Sequence, residues 1–329
     1  MSELPQYEEF GFRSSYPGPF KCRQGDMRML ILQGELDCIE SLTARTLTKA
    51  ARGAVKYRPL GNRVMLTYGL NVVSSATPPW DTYGKVNELL AAFFVPVWAG
   101  HTRNGRFEAE RLCISVPHIL VDNPMSLVAG REIYGFAKAL GRFDPPDPSG
   151  AVDGPLRIEG YGGEFDPQST AGWRPLIEIS PVGGGEVQGG RELDGTPGLV
   201  EAVAPELIEG YSAEELDDEE GLDLPGGVRL AARLCREIRQ GLSRQVFLKQ
   251  MRDTVHQDRA VYQRVVEAPV RTNRVSPRVS LRDWDVTIHD LDSHPIGRDL
   301  GLDDQRAHWS ATLKDFEFDV LQGEVIGQD

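Results

Sequence analysis

The residue with the clearest potential for chemistry is Lys138, which lies among apolar side chains in the segment YGFAKAL at positions 134–140. A free lysine has a pKa near ~10.4, so very few lysine side chains are neutral at pH 7. Only the neutral amine attacks a carbonyl group, and burial among apolar groups favours that form. This setting indicates a nucleophile that forms a Schiff base with a carbonyl substrate. The alternative is a solvated surface position, which is where an isolated lysine is usually found.

Glu88 is the second candidate, because it interrupts the apolar stretch from Val86 to Val97. Val, Leu and Phe dominate this stretch, which predicts a strand. A carboxylate inside such a strand is costly unless it is paired or functional. Glu88 could therefore orient a substrate or move a proton. The alternative is an acid that faces water at the edge of a sheet.

A longer pattern surrounds the lysine. The segment AGREIYGFAKALG at 129–141, preceded by VDNP at 121–124, resembles the signature of the acetoacetate decarboxylase family, and the Schiff-base lysine of that signature falls on Lys138. YPGPFK at 16–21 is similar to the N-terminal arm of the family. Segments 247–269 and 286–295 are similar to its C-terminal strands. The resemblance covers residues 16–143 and 240–326.

The resemblance implies a reaction and a set of site residues. Lys138 is expected to form an iminium with a small keto acid, which needs no dissociable cofactor and no metal. Glu88 is expected to act beside it, and Phe136 to contact the substrate. Arg131 and Glu132 are expected to hold the loop that carries Lys138. Members of the family form homo-oligomers, so the same is expected here.

Two departures from the family pattern leave the reaction open. A second lysine often follows the Schiff-base lysine, but here that position is Ala139. The arm of the family carries an arginine that can meet a substrate carboxylate, where this chain has Gly25. Arg23 and Arg28 are the candidates to replace it. Decarboxylation of a β-keto acid is the first expectation. There are two alternatives. One is an aldolase–dehydratase that uses the same lysine, and the other is a ligand-binding or scaffold protein without turnover.

The order of the elements predicts a single domain over residues 1–329, with an N-terminal arm at 1–25 and an insertion within 144–239. Strands follow one another without regular helical crossovers, which favours a mainly antiparallel α+β fold. The resemblance implies a curved or barrel-like sheet with peripheral helices. A helix is predicted to begin at Asp122 or Asn123, with Pro124 at its first position and Gly135 after its end. Another helix is expected near 228–239.

Composition narrows the classes of partner. The formal net charge is -13 and no cluster of Lys and Arg is present, which argues against nucleic acid and anionic membrane surfaces as partners. No apolar run reaches the length of a membrane span, and the N-terminus lacks the pattern of a signal peptide, so a cytoplasmic location is expected. The four cysteines form no CxxC pair. Asp290, Asp292 and His294 would share one face of a strand and could bind a metal, although a turn is the more common setting for such residues.

Overall fold

The computed structural model describes residues 7–8, 16–146, 154–183, 190–208, 242–280 and 282–327. Strands dominate these ranges. The strands are β1 (Phe20–Gln33), β2 (Lys56–Pro59), β3 (Arg63–Ser75), β4 (Val86–Arg103), β5 (Arg106–Val121), β6 (Lys138–Asp144), β7 (Leu156–Gly162), β8 (Gly172–Pro181), β9 (Arg191–Glu192), β10 (Leu242–Arg252), β11 (Ala260–Ser280), β12 (Trp284–Ile288), β13 (Gln305–Ala307), β14 (Ser310–Val320) and β15 (Glu324–Ile326).

Seven strands close into a ring. Its order is β5–β10–β11–β14–β1–β3–β4, and it closes because β4 also pairs with β5. The closing pair is antiparallel and sets Leu90 opposite Val121 and Trp98 opposite Leu112. The other pairs of the ring are antiparallel too, except that β10 runs parallel to β5. The prediction of a mainly antiparallel, barrel-like α+β sheet is confirmed.

A smaller set of strands extends the sheet outward from β5, in the order β6–β7–β8–β12–β13. The first of these, β6, pairs in parallel with β5 and places Lys138 opposite Ile119. Strands β7 and β8 continue this extension. They lie within the segment expected to be an insertion, and that assignment stays a prediction.

The position of β4 between two hydrophobic cores explains why its sequence is almost continuously apolar. Successive side chains on a strand point to opposite faces. Leu90 and Ala92 face the inside of the ring, while Leu89, Ala91 and Phe93 join a second core outside it. Because both faces of the strand are buried, apolar and polar residues do not alternate along it. Glu88 belongs to the inward-facing set.

Four α-helices accompany the sheet in the described ranges: α1 (Leu36–Thr43), α2 (Pro124–Ile133), α3 (Gly195–Ile208) and α4 (Ile296–Leu300). A π-helical turn, Ala44–Thr48, continues α1, and a 3₁₀ turn covers Trp80–Thr82. The predicted start of α2 is confirmed, because the Asn123 side chain accepts hydrogen bonds from the backbone N–H groups of Met125 and Ser126. Gly135 follows the helix at φ +84°, a conformation that glycine adopts readily.

Several expectations need correction. Lys138 is the first residue of β6, not part of a loop. Phe20 to Gly25 belong to β1 and not to an extended arm. Helix α3 had no counterpart among the predicted elements. The helix expected near 228–239 and the acidic run at 214–220 lie outside the described residues.

Asp290, Asp292 and His294 do not share the face of a strand, which the alternative of a metal site required. Strand β12 ends before Asp290, whose carboxylate accepts hydrogen bonds from the backbone N–H groups of Gly297 and Arg298 at the start of α4. Asp292 accepts from the Phe165 N–H and pairs with Arg298. Within the described ranges, no group of three or more potential ligands could hold a metal ion.

Candidate functional site

The ring of strands encloses a cavity of about 270 Å³. Its wall consists of the inward-facing side chains of the ring, together with residues from α2 and α3 and the first residue of β6. Most of the lining is apolar or neutral. Among the described residues, Lys138 and Glu88 are the only charged side chains that line it.

Lys138 lies at this cavity and is 9% exposed, which excludes the alternative of a solvated surface lysine. Its amine is 5.7 Å from the centre of the Phe136 ring. Gly130, on the inner face of α2, makes room for its alkyl chain. A Cβ at Gly130 would lie 3.0 Å from Lys138 Cδ and equally close to Phe136 Cδ2. The helix, the aromatic ring and the strand start therefore fix the direction of the lysine side chain.

Glu88 faces the amine from β4. Lys138 Nζ is 3.2 Å from Glu88 Oε2 and also donates a hydrogen bond to Ser126 Oγ. The Ser126 hydroxyl in turn donates to the same Glu88 oxygen. Asn71 Nδ2 lies 3.4 Å from Glu88 Oε1. Because Glu88 is 3% exposed, it is not the water-facing edge acid of the alternative interpretation.

Two backbone contacts hold Glu88 in place by tying the start of α2 to β4. The Leu89 N–H donates to Asp122 Oδ1 at 2.8 Å, and Asn123 Nδ2 donates to the Asn87 carbonyl oxygen at 3.1 Å. Burial raises the pKa of Asp122, while the Leu89 N–H opposes this shift. These contacts bracket Glu88 along the strand, so α2 positions both Ser126 and the carboxylate that Ser126 meets.

The other ionisable groups nearby are held neutral. Burial raises the pKa of the Cys22 thiol to about 12, although a hydrogen bond with Asn71 partly offsets it. Burial, and then the charge of Glu88, raise the pKa of Tyr16. Because the thiolate is the reactive form of cysteine, Cys22 is a weak nucleophile at neutral pH. Among the described side chains at this end of the cavity, Lys138 therefore stays the candidate nucleophile that the sequence predicts.

Phe136 lines the cavity as expected and packs against Tyr134 and Phe247. Arg131 and Glu132, by contrast, are exposed on the last turn of α2. One contact that fixes the following segment comes from Lys249, whose Nζ donates to the Ile133 carbonyl oxygen at 3.0 Å. Burial lowers the pKa of Lys249, and the charge of Glu132 opposes that shift.

The two candidate arginines do not line the cavity. Arg23 donates to Asp319 Oδ1 at 2.7 Å and to the Phe318 carbonyl oxygen. Arg28 is fully buried, with its guanidinium 4.4 Å from the centre of the Trp284 ring and a hydrogen bond to Ser310. This geometry does not support either one as a partner for a substrate carboxylate in the cavity.

Sequence reasoning missed Ser126, Asn71 and the wall that α3 contributes. Asn71 lies opposite Glu88 in the β3–β4 register, so only the pairing of the strands reveals their contact. Ser126 carried a local signal. It precedes Ala129 and Gly130 by three and four residues, and these positions share one face of a helix. That face points to the cavity.

The fold is that of acetoacetate decarboxylase-like proteins, as comparison with solved structures shows. Acetoacetate decarboxylase from Legionella pneumophila aligns with 98% of this chain and 92% of its own, with a TM-score of 0.52 and 11% identity. The enduracididine biosynthesis enzyme MppR with HEPES buffer bound aligns with 95% of this chain and 89% of its own, with a TM-score of 0.53 and 11% identity. The same enzyme complexed with pyruvate aligns with 94% and 91%, with a TM-score of 0.51 and 13% identity.

At these identities the likeness concerns the fold alone. No family model matches the sequence, and no curated protein matches it. The fold that the resemblance implied is therefore confirmed. None of the helices in the described ranges combines the length and the apolar character that a membrane span requires.

Proposed function

We propose that this protein is a Schiff-base-forming lyase that decarboxylates a β-keto acid through Lys138. The observation that supports this most directly is the placement of a buried lysine amine between Ser126 and Glu88, at the wall of an apolar cavity. A carboxylate within 3.2 Å of the amine can accept the proton that the amine must lose before it attacks a carbonyl group.

The reaction follows from this arrangement. The Lys138 amine adds to the ketone carbon, and loss of water gives an iminium. The bond to the carboxylate then breaks, CO2 leaves, and its electron pair moves into the iminium to form an enamine. A proton adds to the enamine carbon. Water finally hydrolyses the iminium, which returns the free amine and releases a ketone one carbon shorter.

Glu88 and Ser126 serve the proton transfers in this scheme. Glu88 can take the proton of the attacking amine and return it to the carbinolamine hydroxyl as water leaves, or to the enamine carbon. Ser126 contacts both the amine and the carboxylate, so it can relay a proton between them. Asn71 contacts the other oxygen of Glu88 and orients that carboxylate.

The charge of the cavity favours decarboxylation over reactions that retain the carboxylate. Apart from Lys138, the described lining offers no cation. A carboxylate enclosed among apolar groups without a partner is strongly destabilised, whereas CO2 and a neutral ketone are not. A substrate such as an α-keto acid keeps its carboxylate throughout the reaction, and among the described lining residues only the iminium on Lys138 could pair with it.

An aldolase–dehydratase is the second candidate. It uses the same iminium, and one structural neighbour, the enzyme MppR, is known in complex with pyruvate. Because that likeness concerns the fold, we rank this reaction behind decarboxylation. A keto acid substrate and a homo-oligomeric assembly also stay proposals for this chain.

Trapping the covalent adduct tests the proposal. The protein is incubated separately with acetoacetate, pyruvate and acetylacetone, reduced with borohydride, and mapped by mass spectrometry. We expect an adduct on Lys138. Lys249 is an internal control, because burial lowers its pKa although it does not line the cavity. Absence of an adduct on Lys138 with every compound refutes Schiff-base chemistry. Release of CO2 then separates the decarboxylase from the aldolase–dehydratase.

A further inference from the structure

The cavity is larger than a four-carbon keto acid requires. An engineered cavity of ~150 Å³ is known to hold benzene, which corresponds to roughly 25 Å³ for each carbon. On that scale, the observed 270 Å³ accommodates about eleven non-hydrogen atoms. Acetoacetate has seven, and would leave part of an apolar cavity unfilled.

The cavity is also long. Its lining on β4 consists of Glu88, Leu90, Ala92, Phe94 and Pro96, which are alternate residues separated by eight residue steps in all. At ~3.3 Å per residue this corresponds to about 26 Å along the strand. Lys138 lies at the Glu88 end. The space therefore extends along the inside of the ring, away from the amine.

Strand register places the start of α3 level with the middle of the cavity lining on β4, away from the amine. Cys22, which lines the cavity near the amine, pairs with Phe318 and Val73. Strand β9 directly precedes α3. It pairs with Val279, near the C-terminal end of β11. Val279 pairs with Ala311 on β14, which pairs with Met29 on β1. Met29 pairs with Thr67 on β3, and Thr67 pairs with Ala92 on β4. The helix packs against β11 and β3 and so crosses the ring.

The wall along this path suits a flexible alkyl chain. Met27, Met29 and Met65 line it, and methionine adapts its shape to irregular apolar ligands. On α3, Leu199, Val203 and Ala204 complete the wall. Among the described residues, no charged side chain lies along the cavity beyond Lys138 and Glu88.

We propose that the substrate is a β-keto acid with an extended alkyl chain, of about eight carbons in all. Its ketone lies at Lys138 and its chain runs inside the ring toward α3. The inference rests on the proposed function for its reactive end, while the alkyl channel rests on the cavity alone. Decarboxylation of 3-oxooctanoate in this site would yield CO2 and 2-heptanone.

A chain-length series tests the proposal. CO2 release is measured with 3-oxobutanoate, 3-oxohexanoate, 3-oxooctanoate and 3-oxodecanoate. Burial of each methylene strengthens binding by roughly three- to fourfold, so kcat/KM should rise about tenfold for each two carbons up to the eight-carbon acid. It should level off or fall at ten carbons. A series in which 3-oxobutanoate is the best substrate overturns the proposal.

Binding to Lys138→Ala separates the channel from the chemistry. This variant cannot form an iminium, and calorimetry compares its affinity for 2-heptanone with that for acetone. We expect 2-heptanone to bind at least a hundredfold more tightly. The same comparison by borohydride trapping in the unaltered protein covers the case in which the variant does not fold. Equal affinities for the two ketones overturn the channel. A clear preference without CO2 release or adduct overturns the proposed reaction and supports the channel.

A pair of substitutions on α3 locates the chain. Ala204 lines the cavity, whereas Ala202 on the same helix does not. Ala204→Leu should lower the ratio of kcat/KM for 3-oxooctanoate to that for 3-oxobutanoate by about tenfold or more. Ala202→Leu should keep the ratio of the unaltered protein. An unchanged ratio in Ala204→Leu, with folding confirmed by circular dichroism, contradicts the path toward α3.

Discussion

Gly130 sets how closely α2 approaches the lysine, and replacing it with alanine tests whether that distance positions the amine. The added Cβ would lie 3.0 Å from Lys138 Cδ, 3.2 Å from Lys138 Cε and 3.0 Å from Phe136 Cδ2. Carbon atoms in ordinary contact are about 3.5–4.0 Å apart. The lysine side chain must therefore move by a few tenths of an ångström, which shifts its amine relative to Ser126 and Glu88.

The expected effect is moderate on chemistry and small on stability. A displacement of about 1 Å can reduce a reaction rate by ~10²-fold, so a shift of a few tenths of an ångström should slow adduct formation by up to about tenfold. Alanine is more favourable than glycine inside a helix by ~1 kcal/mol, while overpacking costs about 1–3 kcal/mol. The net loss of stability is then about 0–2 kcal/mol. At ~2–4 °C for each kcal/mol, Tm should fall by no more than about 8 °C.

The assay follows adduct formation at Lys138 with acetylacetone and borohydride over time, alongside a thermal melt. Gly172→Ala is the matched control, because its added Cβ would meet only the end of the Arg174 side chain, at 3.7 Å, outside the cavity lining. A Gly130→Ala protein with unaltered adduct rate and Tm refutes the reasoning. The reasoning is also refuted if Tm falls by far more than about 8 °C, because unfolding would then explain the loss of the adduct.

Three further predictions concern the neighbours of the site and a buried carboxylate on β14. Glu88→Gln should keep the borohydride adduct but lower CO2 release by about 10²–10⁴-fold, the usual effect of removing a general acid–base group; unaltered turnover contradicts this role. Asn123→Ala removes the cap of α2 and should lower the free energy of unfolding in urea by about 1 kcal/mol, whereas no change would mean that the cap is dispensable. Burial raises the pKa of Asp319, but hydrogen bonds from Arg271 and Arg23 outweigh it and the pKa lies below its usual value. The contribution of the Asp319 carboxylate to stability is therefore present at neutral pH and is lost as pH falls through the folded-state pKa. Asp319→Asn should lower Tm at pH 7 but much less at pH 2. Equal losses of Tm at both pH values would exclude this linkage.

The sequence predicted those parts of the site that depend on local pattern. Lys138 stands in a long motif, and Glu88 interrupts an apolar strand, so both stand out from the residues around them. The cap at Asn123 and the turn at Gly135 were predictable for the same reason, because each depends on a few neighbouring residues. Asn71 could not be selected, since a polar residue on a strand has no marked local pattern until its partner strand is known.

The wall formed by α3 escaped prediction for a different reason. Residues 195–208 contain two prolines and two glycines, which oppose an isolated helix. Pro197 lies in the first turn, where its missing N–H would have no partner within the helix, and Pro205 lies further inside. Tertiary burial of Val203, Ala204 and Leu207 stabilises the helix despite this composition. Local propensity alone therefore gives the wrong answer here.

The closure of the ring explains why residues far apart in the chain meet at one point. Glu88 lies on β4, and Lys138 begins β6 beside Ile119 near the end of β5. The two approach because β4 pairs with β5, setting Leu90 opposite Val121. The connection between β5 and β6 is α2, whose inner face supplies Ser126 between them. A break in the β4–β5 pairing would therefore separate the carboxylate from the amine even if each strand kept its own conformation, which makes the site dependent on the fold that the ring defines.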